Sequence, residues 1–409
     1  MRITNSGKYE YCRWAHRNSN DAQHASIADT TPEEFFQSTM IPIRESMLRG
    51  DQLSGCSTCY KMEQHNKVSG RQKQLLKIGV RDDNFDKTLL SSPWKSMLSA
   101  ETKLLPQDWQ IDLGNFCNSS CVFCVPEFSS RVALEHKKLG IIDQLPPTSW
   151  CNDPVLMDKF IKTITQTPVL KYLHFIGGET LVTPAFKTIL KHLVKSGVSD
   201  RVSIGFTTNL ISWDQEVIDL LYQFENVNLG VSVECFDPLN DYVRWPSKID
   251  HVVSTLHKWL AISKDRNWLV QIRTTPTFLT LNKLLTVYDF AWQNHVAVES
   301  CNFLDNPEFL KISVLPLEYR NAIIDDIESW LSARLTNSTK VLNIRNPTFV
   351  QDQITQDLNS YVNYLKNETD DSALLPRGVQ YLKQMESLRN NSIIDYLPEY
   401  EELFRSAGY

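Results

Sequence analysis

One rhythm governs the chain from residue 109 to residue 303: a short apolar run, then a longer stretch with helical spacing. The runs Trp109–Leu113, Leu170–Ile176, Val202–Thr208, Val227–Glu234, Leu269–Thr274 and Val296–Phe303 read as strands. After the second, Phe186, Ile189, Leu190, Leu193 and Val194 recur every three or four residues, and Gly197 stands where a helix stop belongs. Val252, Val253, Leu256, Trp259 and Leu260 mark another helix. Strands that alternate with helices build a parallel sheet. Six such units over roughly 200 residues predict an α/β protein, with a partial (β/α)6 TIM-like barrel.

The flanks read differently. Pro32–Leu48 is predicted helical, kinked or broken at Pro42 and capped by Gly50. A second helix is expected from about Tyr60 to Ile78, and Ser91-Ser92-Pro93-Trp94 marks a loop. Pro316–Tyr409 is predicted helical, with a loop near Asn367–Pro376. The polar N-terminus lacks the basic start and apolar run of a signal peptide. No stretch of about 18 apolar residues offers a membrane span. The net charge of −6 argues against a nucleic-acid partner. A cytoplasmic protein without a membrane partner is expected.

Nine cysteines in a reducing compartment are seldom a disulfide framework, and their odd number and grouping point to metal or redox chemistry. Cys117-Asn-Ser-Ser-Cys121-Val-Phe-Cys124 sets three thiols just past the first predicted strand. In parallel barrels that strand end carries the active site. Asn118, Ser119 and Ser120 are small and polar, so the chain can curl and let three thiolates converge. A four-iron cube takes one ligand per iron, so three cysteines leave one iron open. Zinc is the other reading, although it ordinarily takes four ligands in two separated pairs, and no fourth stands at ordinary spacing here.

With an aromatic before its last cysteine, this CxxxCxxC resembles the signature of the radical S-adenosylmethionine (SAM) superfamily. The resemblance implies that Cys117, Cys121 and Cys124 hold a [4Fe–4S] cluster whose open iron chelates SAM, with Phe123 near the adenine. Gly177-Gly178-Glu179, at the end of the second strand, resembles the family's GGE motif, which holds the SAM amino group. Read alone, it is an ordinary glycine turn. Thr207-Thr208-Asn209 ends the third strand, where relatives carry a Thr-Asn pair facing SAM. Ser232-Val233-Glu234 resembles the family's Ser-x-Asp, with Glu in place of Asp, and implies ribose contact. Arg244, in Tyr-Val-Arg-Trp, resembles the arginine that pairs with the SAM carboxylate. Each of these alone is an ordinary strand-end polar residue; together they occupy successive C-terminal strand ends.

Gly7-Lys-Tyr-Glu-Tyr-Cys12-Arg-Trp, Met47-Leu-Arg-Gly50, Cys56-x-x-Cys59, Glu63 and Arg71 resemble the N-terminal auxiliary-cluster module of twitch-type, SPASM-related radical SAM proteins. Leu382, Leu388-Arg389 and Pro398-Glu399 resemble the C-terminal end of that group. The likeness implies a second, auxiliary cluster on Cys12, Cys56 and Cys59, with an open iron or a distant fourth ligand such as Cys151, Cys235, Cys301 or His16. Relatives carry a Cys-Pro-x-Pro-Trp segment, absent here, and a paired Cys-Cys where this chain has Cys12 alone. A zinc knuckle is the other reading of Cys56-x-x-Cys59, and buried apolar packing that of Cys151, Cys235 and Cys301. The expected division is an auxiliary module over 1–100, the barrel over 101–315 and a helical extension over 316–409.

What the resemblance implies is an enzyme that cleaves SAM reductively to methionine and a 5′-deoxyadenosyl radical, which removes hydrogen from a substrate C–H bond. A one-electron reductant such as flavodoxin or ferredoxin would feed it. The expected substrate is a peptide or protein, as for modified ribosomal peptides. A small molecule (a sugar, nucleotide or amino-acid derivative) is the alternative, and a non-catalytic metal-binding regulator is a third reading.

Overall fold

The computed structural model describes residues 1–12, 25–64, 69–72, 105–299, 303–335 and 347–409. His16, Cys301, the 91–94 loop and most of the predicted helix beyond Gln64 lie outside these described residues.

The six expected strands are β3 (Asp108–Asp112), β4 (Tyr172–Ile176), β5 (Ser203–Thr208), β6 (Val227–Ser232), β7 (Leu269–Arg273) and β8 (Ala297–Glu299), each parallel to the next. Two more, β1 (Arg2–Ile3) and β2 (Tyr9–Glu10), extend the sheet to the order β2-β1-β3-β4-β5-β6-β7-β8. The sheet is open, with β2 and β8 at its edges, as in a partial barrel. β1 runs parallel to β3, with Arg2 opposite Gln110 and Ile3 opposite Ile111. Residues read from the sequence as part of an N-terminal module therefore complete the barrel sheet. Their strands hold two residues each, too short to show any alternation.

Side chains on a strand point alternately to its two faces. Trp109, Ile111, Leu173, Phe175, Ile204, Phe206, Val231, Val270 and Ile272 take one face and are buried. Phe186, on the helix Pro184–Lys195, meets Phe175 and Phe206 with ring centroids 5.1 and 5.4 Å apart. Each such side chain contributes about 1.5–3 kcal/mol of burial. Helices Pro154–Gln166 and Ile249–Arg266 cover the same face, the first capped by Asp153, whose carboxylate accepts from the amides of Val155 and Leu156. The opposite, concave face carries Asp112, Tyr172, His174, Thr207, Arg273 and Glu299.

Helices Leu317–Leu335, Pro347–Asn367 and Leu375–Arg389 form the C-terminal part. No helix of the described residues is long and apolar enough to cross a membrane. The irregularity expected at Pro42 falls upstream of it: a π-turn over Phe35–Thr39 precedes an unbroken helix Met40–Arg49, which Gly50 closes at φ +82°. Lys61, on the helix Ser57–Gln64, reaches Glu368 and Asp305 at 3.5 and 3.7 Å, so the N-terminal cysteine helix sits by the chain that leaves β8.

Candidate metal and cofactor site

The cysteine loop leaves β3 and is tied at nearly every turn. Leu113 donates to the Ile176 carbonyl at 2.8 Å, Ser120 to Trp245 at 2.7 Å and Val122 to Val243 at 2.9 Å. Ser129 caps the helix Ser130–Lys138 that follows, and its hydroxyl donates to the Ser119 carbonyl at 2.7 Å. From the C-terminal part, Arg389 Nη2 donates to the Ser120 carbonyl at 2.7 Å and pairs with Glu135 at 2.6 Å, while Tyr381 donates to the Val122 carbonyl at 3.0 Å. Arg389 is nearly fully buried and was not singled out by sequence as a loop anchor. Its partner lies 269 residues away along the chain.

Cys117, Cys121 and Cys124 share one environment, with Cys121 buried and Cys117 and Cys124 half-buried. Burial, then the charge of Cys121, pushes the Cys117 thiol up to about 12. Burial, followed by the charges of Cys121 and Cys117, raises the Cys124 thiol further. Thiols so placed stay protonated unless a cation compensates them, and metal ligation requires the thiolate. Among the described residues, no three His, Cys, Asp or Glu side chains converge on one metal ion. The three thiols are close enough to repel one another as thiolates. A four-iron cube, whose corners each need one thiolate, fits that donor set.

The glycine motif is pressed against this loop. Gly177 and Gly178 adopt φ +99° and +48°, and a Cβ at either would overlap the backbone of Gly114 or Phe116. Only glycine tolerates both the angle and the approach. Glu179 follows, buried, with its amide donating to the Phe116 carbonyl at 2.9 Å. Its carboxylate accepts from the amides of Leu181 at 3.1 Å and Asn209 at 2.6 Å, and from the Thr208 hydroxyl. Burial nevertheless holds its carboxyl above the usual range. Asn209 closes the circuit: its Nδ2 donates to Asn118 at 2.7 Å and Ser119 at 2.9 Å.

Arg244 and Glu234 meet each other. The Arg244 guanidinium donates twice to Glu234 Oε1, at 3.0 Å from Nε and 2.5 Å from Nη2. Nη1 lies 3.7 Å from Cys121 Sγ, and the guanidinium sits 5.3 Å over the Phe123 ring. Glu234 also accepts from the Thr274 hydroxyl and the Thr275 amide, at 3.0 and 2.6 Å. β6 ends at Ser232, two residues before the predicted limit, because Glu234 turns into these bonds. Burial opposes the Arg244 charge, but Glu234 and Cys121 outweigh it and hold the guanidinium charged. Ser232 ends β6 half-buried, in register with Arg273.

The N-terminal cysteines are brought only partly together. Cys59 is buried and close enough to Cys12 for their charges to interact; burial first, then Cys12, raises its thiol. Cys56 stands one turn earlier, half-buried. Glu63 accepts from Ser69 at 2.5 Å and from Arg71 at 2.6 Å. Cys151 donates to the Leu113 carbonyl at 3.1 Å, and Cys235 is wholly buried past β6.

Residues 111–291 match the Radical SAM superfamily. No curated protein matches the chain. SuiB of Streptococcus suis, bound to precursor peptide SuiA, is similar at 13% identity and a TM-score of 0.39, over 76% of this chain and 66% of that one. The radical SAM methyltransferase TsrM of Kitasatospora setae, with tryptophan and a SAM analogue bound, is 16% identical with a TM-score of 0.33, over 47% and 35%. Native anSMEcpe with bound AdoMet is 11% identical with a TM-score of 0.39, over 72% and 100%. The chain spans about two thirds of the length of SuiB.

Proposed function

Because this chain carries a radical SAM domain over residues 111–291, we propose that it is an enzyme whose cluster sits on Cys117, Cys121 and Cys124 and whose substrate is a peptide or protein. When bound, a reduced [4Fe–4S] cluster supplies the electron that cleaves SAM to methionine and a 5′-deoxyadenosyl radical able to take hydrogen from the substrate. The observation that carries this reading is the meeting of three thiols on one tied loop with Glu179 and Arg244 from the neighbouring strand ends.

The residues divide the work of binding. Gly177 and Gly178 let the β4 end approach the cysteine loop closely. Glu179 keeps lone pairs beyond its three bonds, enough to accept from the SAM ammonium. Thr208 and Asn209 fix its carboxylate. Arg244 faces Cys121 and offers its remaining N–H groups to the SAM carboxylate, with Phe123 beneath it flanking the adenine. Glu234 is engaged by Arg244, Thr274 and Thr275, so in this reading it orients Arg244, and Ser232 is left to meet the ribose. The apolar helices behind β3–β7 keep water from the back of the site.

The division into a module over 1–100, a barrel over 101–315 and an extension over 316–409 belongs to the same reading. Cys12, Cys56 and Cys59 would hold an auxiliary cluster, supported by the proximity of Cys12 to Cys59. The peptide substrate rests on the likeness of these cysteines to an auxiliary-cluster module. A cytoplasmic one-electron donor, flavodoxin or ferredoxin, would supply the reductant. Anaerobic reconstitution followed by dithionite and SAM tests it. The expected result is about eight irons per chain, the content of two four-iron clusters, and slow formation of 5′-deoxyadenosine. Full zinc without iron, or SAM bound and never cleaved, overturns it.

A further inference from the structure

The concave face of the sheet holds a second constellation, separate from the cysteine loop. Arg273 ends β7 and lies across the neighbouring strands. Its Nη1 donates to Thr207 on β5 at 2.6 Å and to His174 Nε2 on β4 at 3.3 Å, and its Nε pairs with Glu299 at the end of β8. Accepting at Nε2 makes His174 the Nδ1–H tautomer, which donates to the Tyr172 hydroxyl at 3.1 Å. Two glycines clear the way. A Cβ at Gly230 would lie 2.5 Å from Arg273 Nε, and one at Gly205 would overlap Tyr172 and His174. Four strands thus present one oriented guanidinium to the open barrel.

A guanidinium has five N–H donors. Thr207 and His174 take two, and Nε lies in ion-pair range of Glu299 without a hydrogen bond to it. The two on Nη2 have no partner among the described residues, and the side chain keeps 27% exposure. An ion pair in so open a place adds little stability. A fork oriented on three sides, with one edge unspent, is instead suited to a planar anion.

We propose that Arg273 is the substrate anchor of this barrel and that its Nη2 edge takes a carboxylate of the substrate, with Glu299 and Thr207 as positioning residues. The proposal rests on the enzyme reading above and names the chemistry its substrate must carry. That carboxylate belongs to an acidic side chain within a peptide, to a peptide C-terminus or to a free amino acid.

The test uses the anaerobically reconstituted full chain with SAM and three probes: N-acetylglutamate N-methylamide, N-acetylalanine and free glutamate. N-acetylglutamine N-methylamide is the uncharged control, and affinity is read by saturation-transfer NMR titration. One carboxylate probe should bind at least about tenfold more tightly than the control, and which one it is identifies the source. Arg273→Gln should lose that preference, Arg273→Lys should keep part of it, and Glu299→Gln should bind the probe more tightly because an internal counter-charge is removed. Circular dichroism and iron content check folding. If Arg273→Gln does not fold, the Glu299→Gln shift and the probe preference of the wild type still decide. Equal binding of charged and uncharged probes, no binding of any carboxylate, or an unchanged preference in Arg273→Gln overturns the anchor. Formation of 5′-deoxyadenosine by wild type without any probe reports separately on the enzyme reading. If it forms while the probes fail, only the anchor falls; if it is absent while the probes bind, only the enzyme reading falls.

Discussion

The two groups of three cysteines are built on opposite plans. Cys117, Cys121 and Cys124 are neighbours in sequence, yet their loop is held by residues from all over the chain: Trp245, Val243, Ile176, Tyr381 and Arg389. Cys12 and the Cys56–Cys59 pair are distant in sequence, and their immediate supports, Glu63, Ser69 and Arg71, are local. Where ligands are adjacent in the chain, the fold's task is to shape one loop. Where they are scattered, the fold must first bring them together. The first plan resists local damage at the ligands' surroundings poorly, because so many distant contacts shape one loop; the second is more separable from the barrel.

Removing the ligands themselves should separate the two plans most sharply. Cys117, Cys121 and Cys124 changed together to Ala should drop iron from about eight to about four per chain and abolish 5′-deoxyadenosine formation, measured by iron assay and chromatography. Cys56→Ala with Cys59→Ala should leave SAM cleavage near the wild-type rate while product from the true substrate disappears. Equal loss of cleavage in both variants would erase the distinction.

Next in size is the distant clamp. Arg389→Ala leaves Glu135 without its buried partner and should cost about 3–5 kcal/mol in anaerobic urea unfolding. Arg389→Lys should recover part of it. A smaller effect belongs to Gly178→Ala, where the left-handed angle and the Phe116 carbonyl both oppose a side chain. It should cost about 1–3 kcal/mol and weaken SAM binding in equilibrium dialysis.

The smallest prediction concerns acidity. His136 lies on the helix after the cysteine loop, 3.1 Å from the Tyr381 hydroxyl, and burial holds its imidazole below the ordinary value of 6.5. A lowered value means stability that is present above 6.5 and lost as the pH falls toward the folded value. Wild type should therefore lose more stability than His136→Gln between about pH 7 and pH 5, read as the shift in unfolding midpoint. Parallel pH curves for the two proteins would remove His136 from the clamp.

Much of the barrel was legible because its strands are apolar on the side that meets helices. Phe175, Phe206 and Ile272 announce themselves, and the turns after them carry Gly177, Asn209 and Glu234 at readable positions. The thiol triad was legible for the same reason that it is compact. β1 and β2 were not, since two residues cannot display a period. Arg273, Glu299 and His174 escaped because their meeting crosses four strand gaps and no spacing along the chain encodes it. A hint existed: Tyr172 and His174 on β4 and Gln271 and Arg273 on β7 alternate with apolar residues, and with Gly205 and Gly230 between they mark a face that is not packed. The Glu234–Arg244 pair was half legible. Each residue was singled out, but for separate partners rather than for each other.

The Arg389 clamp has a consequence in time. A ribosome adds about 5–20 residues per second, so the loop that carries Ser120 is made tens of seconds before the arginine that will hold it. During that interval the Ser120 carbonyl lacks its guanidinium, and the Glu135 carboxylate has only the nearby Ser120 hydroxyl and water to meet. The three thiols are therefore born on a slack tether and tightened late. Assembly of this centre is a matter of order, with the last helix setting the moment at which the first loop becomes a site.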